Sequence, residues 1–364
     1  MARTLKAPTE PETDDLVPLR LLDPDGTPLG PPPMSNARLL DALRLMKLSR
    51  ALDALATKLQ RLGRVGVYSP VHGQEASVVG SALALDPTRD WLVPAYREQP
   101  AMLYQGLPLD RILAGYMGKI GHARIPDGVQ LLPRNQAVAA QLPHAVGLAW
   151  GLKIRRQRAA VLVYLGDGAA SEGDFHESAN FAGVLGAPLV MVVQNNGWAI
   201  STPVVKQTAA PSIASRARGY GFPGRLVDGN DLFAVYSATV FAVERALDAQ
   251  GPTLIEALTY RMSFHNTTDN PKAYRDELEV AEAAKRDPIV RIERYLARSG
   301  SWDEAQAREM EGSIQQELDD AVEKVSRLPA PDPSEMFDHT YSDPPERVRK
   351  QKEELEALRR EPAG

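Results

Sequence analysis

The chain contains no cysteine. Disulfides, thiolate nucleophiles, iron-sulfur clusters and cysteine-ligated zinc are therefore excluded, and the absence agrees with a reducing compartment, so the cytoplasm is the expected location. Aromatic residues make up only 6% of the chain, and there is no basic excess: 42 Lys and Arg stand against 47 Asp and Glu, for a formal charge of −5. Such a chain offers no general positive field to a nucleic-acid backbone, and no nucleic-acid partner is expected. No apolar run approaches the roughly 20 residues needed to span a bilayer, and residues 1–35 lack an apolar core of signal-peptide type, so neither membrane insertion nor secretion is expected. What is present is ordinary globular composition, 43% hydrophobic and 24% charged over 364 residues, with length enough for a large core.

Residues 1–34 are rich in proline and acidic side chains and end near Pro31, Pro32 and Pro33, which predicts an extended arm whose 16–22 segment docks on the rest of the chain. Ser35 reads as an N-cap, and Leu48, Leu52, Leu55, Leu59 and Leu62 recur at steps of four and three up to Gly63, predicting one long amphipathic helix whose stripe needs a partner surface, expected on another subunit. Over 35–275, short apolar runs alternate with helical stretches, the pattern of an α/β domain with a mostly parallel sheet covered by helices on both faces. The clearest βαβ unit is 159–165, then 174–185 with Phe175, Ala179 and Ala182 on one face, then 189–193. A helix over 232–250 and a buried strand at 253–258 follow. The texture over 276–364 changes to charged helices: Asp287 with Pro288 opens one, Ser301 with Glu304 has capping-box spacing for another, and 346–360 forms a last one.

The sharpest chemical signal begins at the end of the first strand of that unit, in Gly166-Asp167-Gly168, and closes at the end of the second, in Asn195-Asn196. Carboxyl ends of parallel strands open onto the crevice where ligands bind, so Asp167 and Asn196 are expected to meet there. A carboxylate and an amide oxygen suit Mg²⁺, which takes octahedral oxygen coordination commonly completed by phosphates. Gly168 lets backbone approach closely, and the helix start over 169–174 directs N–H groups at an anion. Either motif alone is better read as no more than a tight turn or a loop. Joined across one βαβ unit they point to a magnesium diphosphate site. Gly166-Asp167-Gly168 also begins like a nicotinamide-binding G-x-G-x-x-G, but Ser171 stands at the third glycine. His265, one of six histidines, reads equally as an exposed loop residue or as a site residue.

The Gly-Asp-Gly and Asn-Asn pair, with residues 169–194 between, resembles the thiamine diphosphate fingerprint. From about residue 19 onward the order of segments is similar to the alpha subunits of heterotetrameric 2-oxo acid dehydrogenases. The stretches that carry this are Ala95-Tyr96-Arg97-Glu98, 112–118, 166–174, 195–203 and 260–275. The resemblance implies the thiamine diphosphate-binding fold and thiamine diphosphate with Mg²⁺ as cofactors. It implies Asp167 and Asn196 as side-chain metal ligands and the Trp198 carbonyl as a third. Tyr96 and Arg97 match diphosphate contacts, for which a guanidinium fork is apt. Gly168, Ala169 and Ala170 match residues whose backbone contacts the diphosphate, and Gln136 and Val138 residues whose backbone holds the aminopyrimidine. His265 matches an active-site histidine that contacts the cofactor phosphate and assists proton transfer near neutral pH. The substrate wall falls on Val67, Tyr68 and Tyr96. His72 is expected to shape the start of a helix, and His122, His144, His176 and His339 to be structural or surface residues. Three departures stand out: Gln194 replaces a diphosphate-binding arginine of some relatives, and Ala95 a common glutamine. Around Asn135, Ala137, Ala140 and Gln141 the hydroxyls of a monovalent-cation site are mostly absent.

The implied reaction is decarboxylation of a 2-oxo acid with acyl transfer to a lipoyl group of the acyltransferase core. The family's activating glutamate comes from a beta subunit, so this chain is expected to hold the diphosphate half of a site shared within an alpha2beta2 heterotetramer, and to be inactive alone. The segments Asp287-Pro288-Ile289, Trp302-Asp303-Glu304, Met336-Phe337-Asp338 and Arg349-Lys350-Gln351 resemble branched-chain members more closely than pyruvate members. The expected substrates are therefore branched-chain acids of the 2-oxoisovalerate type. A pyruvate or acetoin enzyme of the same family is the alternative, and a noncatalytic partner-binding subunit the alternative of another class. Where animal relatives carry regulatory serines after the histidine, this chain has Asn266 and Asp276, and that control is not expected, although Thr267 and Thr268 offer hydroxyls.

Overall fold

The structure, a computed structural model, describes residues 16–338 and 340–360. The helix α1 (Asn36–Arg61) is capped by Ser35, whose hydroxyl accepts from Arg38 N. Helix α2 (Glu75–Ala82), strand β1 (Trp91–Val93), and helices α3 (Gln99–Tyr104), α4 (Leu109–Tyr116) and α5 (Gln141–Ile154) follow. Then come β2 (Val161–Gly166), α6 (Gly173–Leu185), β3 (Leu189–Asn195), the two-residue strands β4 (Trp198–Ala199) and β5 (Thr202–Pro203), β6 (Gly224–Asp228), α7 (Leu232–Leu247) and β7 (Thr253–Leu258). The chain ends in α8 (Glu277–Ala284), α9 (Pro288–Arg298), α10 (Glu304–Ser326) and α11 (Glu346–Arg360).

Five strands form one wholly parallel sheet in the order β1-β2-β3-β7-β6, while β4 and β5 pair antiparallel in a small ribbon. The α/β class and parallel sheet read from the apolar runs are therefore present. Every residue of β3 is buried, as a central parallel strand covered on both faces requires. Alternate strand residues separate into two cores. Leu162, Tyr164, Val190, Val192 and Ile255 face α2 and α7, whereas Val161, Val163, Leu189, Met191 and Leu254 face α5 and α6.

The leucine stripe of α1 is already used within the chain. Leu48 and Leu52 pack against Leu109 and Leu113 of α4 and Ile314, Leu318 and Val325 of α10, and the other side of α1 meets α2 and α9. The expectation that this stripe awaits another subunit is thus corrected: the charged C-terminal helices carry the apolar face that covers it. Leu62 alone points outward, 63% exposed. A second correction concerns the cap of α10, which is Asp303 with Gln306 in a reciprocal capping box. Ser301 does not take that role because its hydroxyl accepts from Asn36 Nδ2 at 2.7 Å. Among the described helices none is long and apolar enough to cross a membrane.

The described part of the N-terminal arm does dock, beside β6, where Leu19 N donates to Leu226 O and Asp228 N to Leu19 O. One buried charge cluster fixes it. Arg291 of α9, fully buried, pairs with Asp228 at 3.1 Å and Asp231 at 3.6 Å, and donates to the Leu22 and Asp23 carbonyls. Asp231 also caps α7 and accepts from Leu21 N and Leu22 N. Removing one member of such a cluster leaves the others buried without compensation. Arg291→Met is expected to lower stability by about 3–5 kcal/mol. Urea unfolding of the full chain checks this, and a loss below about 1 kcal/mol would show that the arm is held by packing alone.

Candidate functional site

Four neighbouring parallel strands end at one crevice. Beyond β1 comes Ala95-Tyr96-Arg97, beyond β2 Asp167-Gly168, beyond β3 Asn196, and beyond β7 the 259–265 segment. A cavity of about 250 Å³ lies there. Its lining includes Tyr96, Arg97, Val138, Asp167, Gly168, Ala169, Asn196, Trp198 and His265, so most of the residues singled out in the sequence meet in one place. Four do not line it. Gln136 is exposed beside the lining residues Asn135 and Ala137. Ala170 is fully buried behind Ala169, and its carbonyl accepts from Arg216. Val67 is 55% exposed away from the lining. Tyr68 is corrected as a wall residue, since its ring is fully buried against Tyr116 and its hydroxyl donates to Asp53 at 2.7 Å. Among the other histidines, His72 lies just before α2 as expected, His176 meets the Tyr220 hydroxyl, and His339 lies outside the described residues.

The electrostatics of the crevice rest on two guanidiniums, of which sequence reasoning singled out one. Arg97 is 5% exposed and donates to Pro70 O and to His265 Nδ1 at 2.9 Å. Arg261, fully buried, donates to Trp198 O, Ile200 O and the Tyr274 hydroxyl, and lies 3.2 Å from the same His265 Nδ1. Neither forms an ion pair with a carboxylate among the described residues, and Arg261 Nε, although buried, has no partner at all. Burial, then the nearby Arg97, holds the Arg261 guanidinium below its usual pKa. Its only sequence signal was its place three residues beyond a strand end.

With two N–H donors aimed at Nδ1, His265 must accept there, so its proton sits on Nε2 and the ring is neutral. Burial, Arg97 and Arg261 together depress its pKa to about 3. Burial and the two guanidiniums thus favour the neutral ring in this structure, with Nε2–H left as a donor. Its backbone N–H is fixed by Asp269 at 2.7 Å, and Asp269 in turn accepts from the Tyr274 hydroxyl.

On the opposite wall Asp167 is 2% exposed, with burial raising its pKa against a hydrogen bond from Gln207 at 2.8 Å. Asn196 Oδ1 accepts from Trp198 N, and its amide donates to Gln74, whose own Nε2 is buried without a partner. A Cβ at Gly168 would stand 2.8 Å from the Ala199 side chain, so only glycine permits this closeness of the two strand ends. Sequence reasoning also missed Glu98, a buried cavity-lining carboxyl bonded to Gln194 at 2.6 Å. The donor set is hard, oxygen-rich on one side and cationic on the other. Two unneutralised guanidiniums and two orphaned buried donors fit an anion such as a diphosphate. No group of three or more histidine or acidic side chains that could hold a metal occurs among the described residues.

The depressed His265 pKa sets the sign of a pH effect. The unfolded chain binds a proton below its ordinary value of 6.5 while the native ring stays neutral to about 3. Stability is therefore present above 6.5 and lost as pH falls toward 3. His265→Gln, whose amide oxygen can accept both guanidinium donors, is expected to lose less stability than the wild type between about pH 7 and about pH 5 in urea unfolding. Equal losses in the two proteins would show that the arginines do not hold the ring neutral.

Comparison with known proteins agrees with this geometry. The dehydrogenase E1 component family matches residues 43–334. The chain is 41% identical over 355 residues to the 3-methyl-2-oxobutanoate dehydrogenase subunit alpha of Mycobacterium tuberculosis, covering 94% of each chain. It is 38% identical over 339 residues to the pyruvate dehydrogenase E1 component subunit alpha of Staphylococcus epidermidis, covering 92% of this chain and 91% of that one. With the corresponding protein of Acholeplasma laidlawii it shares 39% over 325 residues, or 89% of this chain and 94% of the relative. The chain therefore belongs to the dehydrogenase E1 component family, as an alpha-type subunit of a thiamine diphosphate-dependent 2-oxo acid dehydrogenase.

Proposed function

We propose that the chain acts on branched-chain 2-oxo acids of the 2-oxoisovalerate type, with Mg²⁺ as its second cofactor. In this reading it works in the cytoplasm as part of an alpha2beta2 heterotetramer that passes acyl groups to a lipoyl-bearing acyltransferase core. The observation that carries the cofactor assignment is the facing pair, buried unneutralised Arg97 and Arg261 across from buried Asp167 and Asn196. When bound, thiamine diphosphate supplies the electron sink for decarboxylation. Arg97 and Arg261 would take diphosphate oxygens, with His265 Nε2–H as a neutral donor beside them. Asp167, Asn196 and the Trp198 carbonyl would hold Mg²⁺ against that diphosphate. The backbone at Gly168, Ala169 and Ala170 would complete the anion cradle, while Gln136 and Val138 would hold the aminopyrimidine through their backbone. Tyr96 is the substrate-facing residue of this reading.

The beta subunit is placed over the outer face of α5 and α6. There Trp150, Ile154, Phe181 and Val184 are exposed, 45% to 71%, on helices whose first turns adjoin the cavity. Of the exposed positions of α5, Pro143, His144, Gly147, Trp150 and Ile154, none is a lysine, arginine or carboxylate, which a solvent-facing helix ordinarily carries. A subunit seated there closes the same cavity.

Support for the branched-chain preference comes from the C-terminal segments named above and from the high identity to a 3-methyl-2-oxobutanoate dehydrogenase alpha subunit. Pyruvate-type relatives are nearly as similar, so the substrate must be read from rates. On the enzyme reconstituted with its beta subunit, kcat/KM for 2-oxoisovalerate is expected to exceed that for pyruvate, by a factor on the order of ten, since a methylene or two in an apolar pocket is worth about 1–3 kcal/mol. A ratio favouring pyruvate would assign the chain to a pyruvate dehydrogenase.

The metal assignment predicts that calorimetric binding of thiamine diphosphate to the assembled enzyme requires Mg²⁺. Because Asp167 is the only carboxylate among the proposed ligands, Asp167→Ala is expected to weaken that binding by roughly 100-fold or more. Unchanged affinity in the variant would remove Asp167 from the site.

A further inference from the structure

A strap of six residues, 68–73, runs between α1 and the crevice, and it holds Arg97, one of the two guanidiniums that define the anion side. All six of its carbonyls are engaged. Pro70 O receives Arg97 Nη1 at 2.8 Å, Tyr68 O receives Thr267 N at 3.0 Å and His72 O receives Met262 N at 3.1 Å. Ser69 O, Val71 O and Gly73 O take Gln99 Nε2, Gln74 N and the Thr259 hydroxyl. The strap thus fixes the Arg97 guanidinium directly and borders the His265 segment on both sides. Gly73, at φ +93°, lies so close to the Tyr260 carbonyl that an added Cβ would stand 2.3 Å away, so the strap is wedged against the segment beyond β7.

What holds the strap itself is one buried carboxylate. Asp53, in the middle of α1 and 5% exposed, accepts Val71 N at 2.9 Å and His72 N at 3.0 Å on one oxygen, and the Tyr68 hydroxyl at 2.7 Å on the other. One turn earlier on the same helix Arg50 bonds Glu75, whose second oxygen takes Gly73 N. A buried carboxylate is costly to retain, and a leucine would suit this position in a helix packed on both sides. Asp53 lies outside the cavity lining, so it touches neither cofactor nor substrate.

We propose that Asp53 is a positioning residue that sets the Arg97 guanidinium for the cofactor diphosphate by fixing the 68–73 strap. The proposal rests on the diphosphate reading of the crevice. A donor placed by two successive hydrogen-bonded joints, Asp53 to the strap and the strap to Arg97, moves when the first joint is cut, and a misplacement on the order of 1 Å weakens binding severely.

The test is calorimetric binding of thiamine diphosphate with Mg²⁺ to the enzyme assembled with its beta subunit, combined with a double-mutant cycle. Asp53→Ala is expected to raise the dissociation constant and the KM for thiamine diphosphate by about tenfold or more, while kcat at saturating cofactor stays within about threefold. Asp53→Asn is expected to restore near wild-type affinity, because its amide oxygen can accept both strap N–H groups while its NH₂ donates to the Tyr68 oxygen. In an Arg97→Ala background, Asp53→Ala is expected to add less than about twofold, since the group it positions is gone. Should Asp53→Ala fail to assemble, Asp53→Ser, too short to span two amides, carries the same expectations. Full additivity of the two losses, or wild-type affinity in Asp53→Ala or Asp53→Ser, overturns the proposal while leaving the diphosphate site standing. Absence of thiamine diphosphate binding by the wild type overturns the functional reading and the proposal with it.

Discussion

Two guanidinium groups buried side by side, neither of them ion-paired to a carboxylate among the described residues, are the constraint around which this chain is arranged. Arg97 and Arg261 both reach His265 Nδ1, and like charges brought this close out of water are unfavourable by several kcal/mol unless something anionic joins them. The protein spends carbonyls on them instead: Pro70 for Arg97, and Trp198 and Ile200 for Arg261. Each of those carbonyls must be held in turn, and this explains why the crevice is bounded by a fully hydrogen-bonded strap, a left-handed turn at Ile200 and the small β4–β5 ribbon. A cavity organised this way is built before its ligand arrives, and the cost of holding it open is met by the packing elsewhere.

That packing is unequal on the two sides of the sheet. Behind the β2 and β3 residues that face α2 and α7 lies a further layer, with α1 pressed between α2 on one side and α9 and α10 on the other. The opposite face is covered by α5, α6 and the 214–220 turn, and Trp150, Ile154, Phe181 and Val184 stand exposed there beside Asp174, His176 and Glu177. The helices α1, α9 and α10 thus lie behind the face on which Asp53 and the 68–73 strap sit, while the starts of α5 and α6 border the cavity.

The sheet was legible because parallel strands buried on both faces read as unbroken apolar runs; β3 and β7 fell where the runs predicted, and Phe175, Ala179 and Ala182 do line the buried face of α6. The partner of α1 was not, for a physical reason. Ile314, Leu318, Ala321 and Val325 of α10 form a narrow apolar stripe within a strongly charged helix, and composition alone reads such a helix as a solvated one. Within the site, residues at strand ends were findable because topology brings strand ends together. Asp53 and the strap were not, because nothing in a sequence shows that a carboxylate in the middle of an amphipathic helix will face backbone amides from a loop. Arg261 fell between these cases, near a strand end but with no motif of its own. Tyr68 illustrates the converse: assigned to the substrate wall by resemblance, it is buried with its hydroxyl on Asp53 and does not line the crevice.

The loss of an arginine at position 194, an apparent deficit of one positive charge at the diphosphate, is resolved by the neighbour that the sequence did not suggest. Gln194 Nε2 donates to Glu98 at 2.6 Å, and its oxygen accepts from Ser77. Burial raises the Glu98 pKa, against hydrogen bonds from Arg97 N and Gln194. A glutamine at 194 thus meets this buried carboxyl through a hydrogen bond without adding a charge, and the guanidiniums that line the crevice are Arg97 and Arg261.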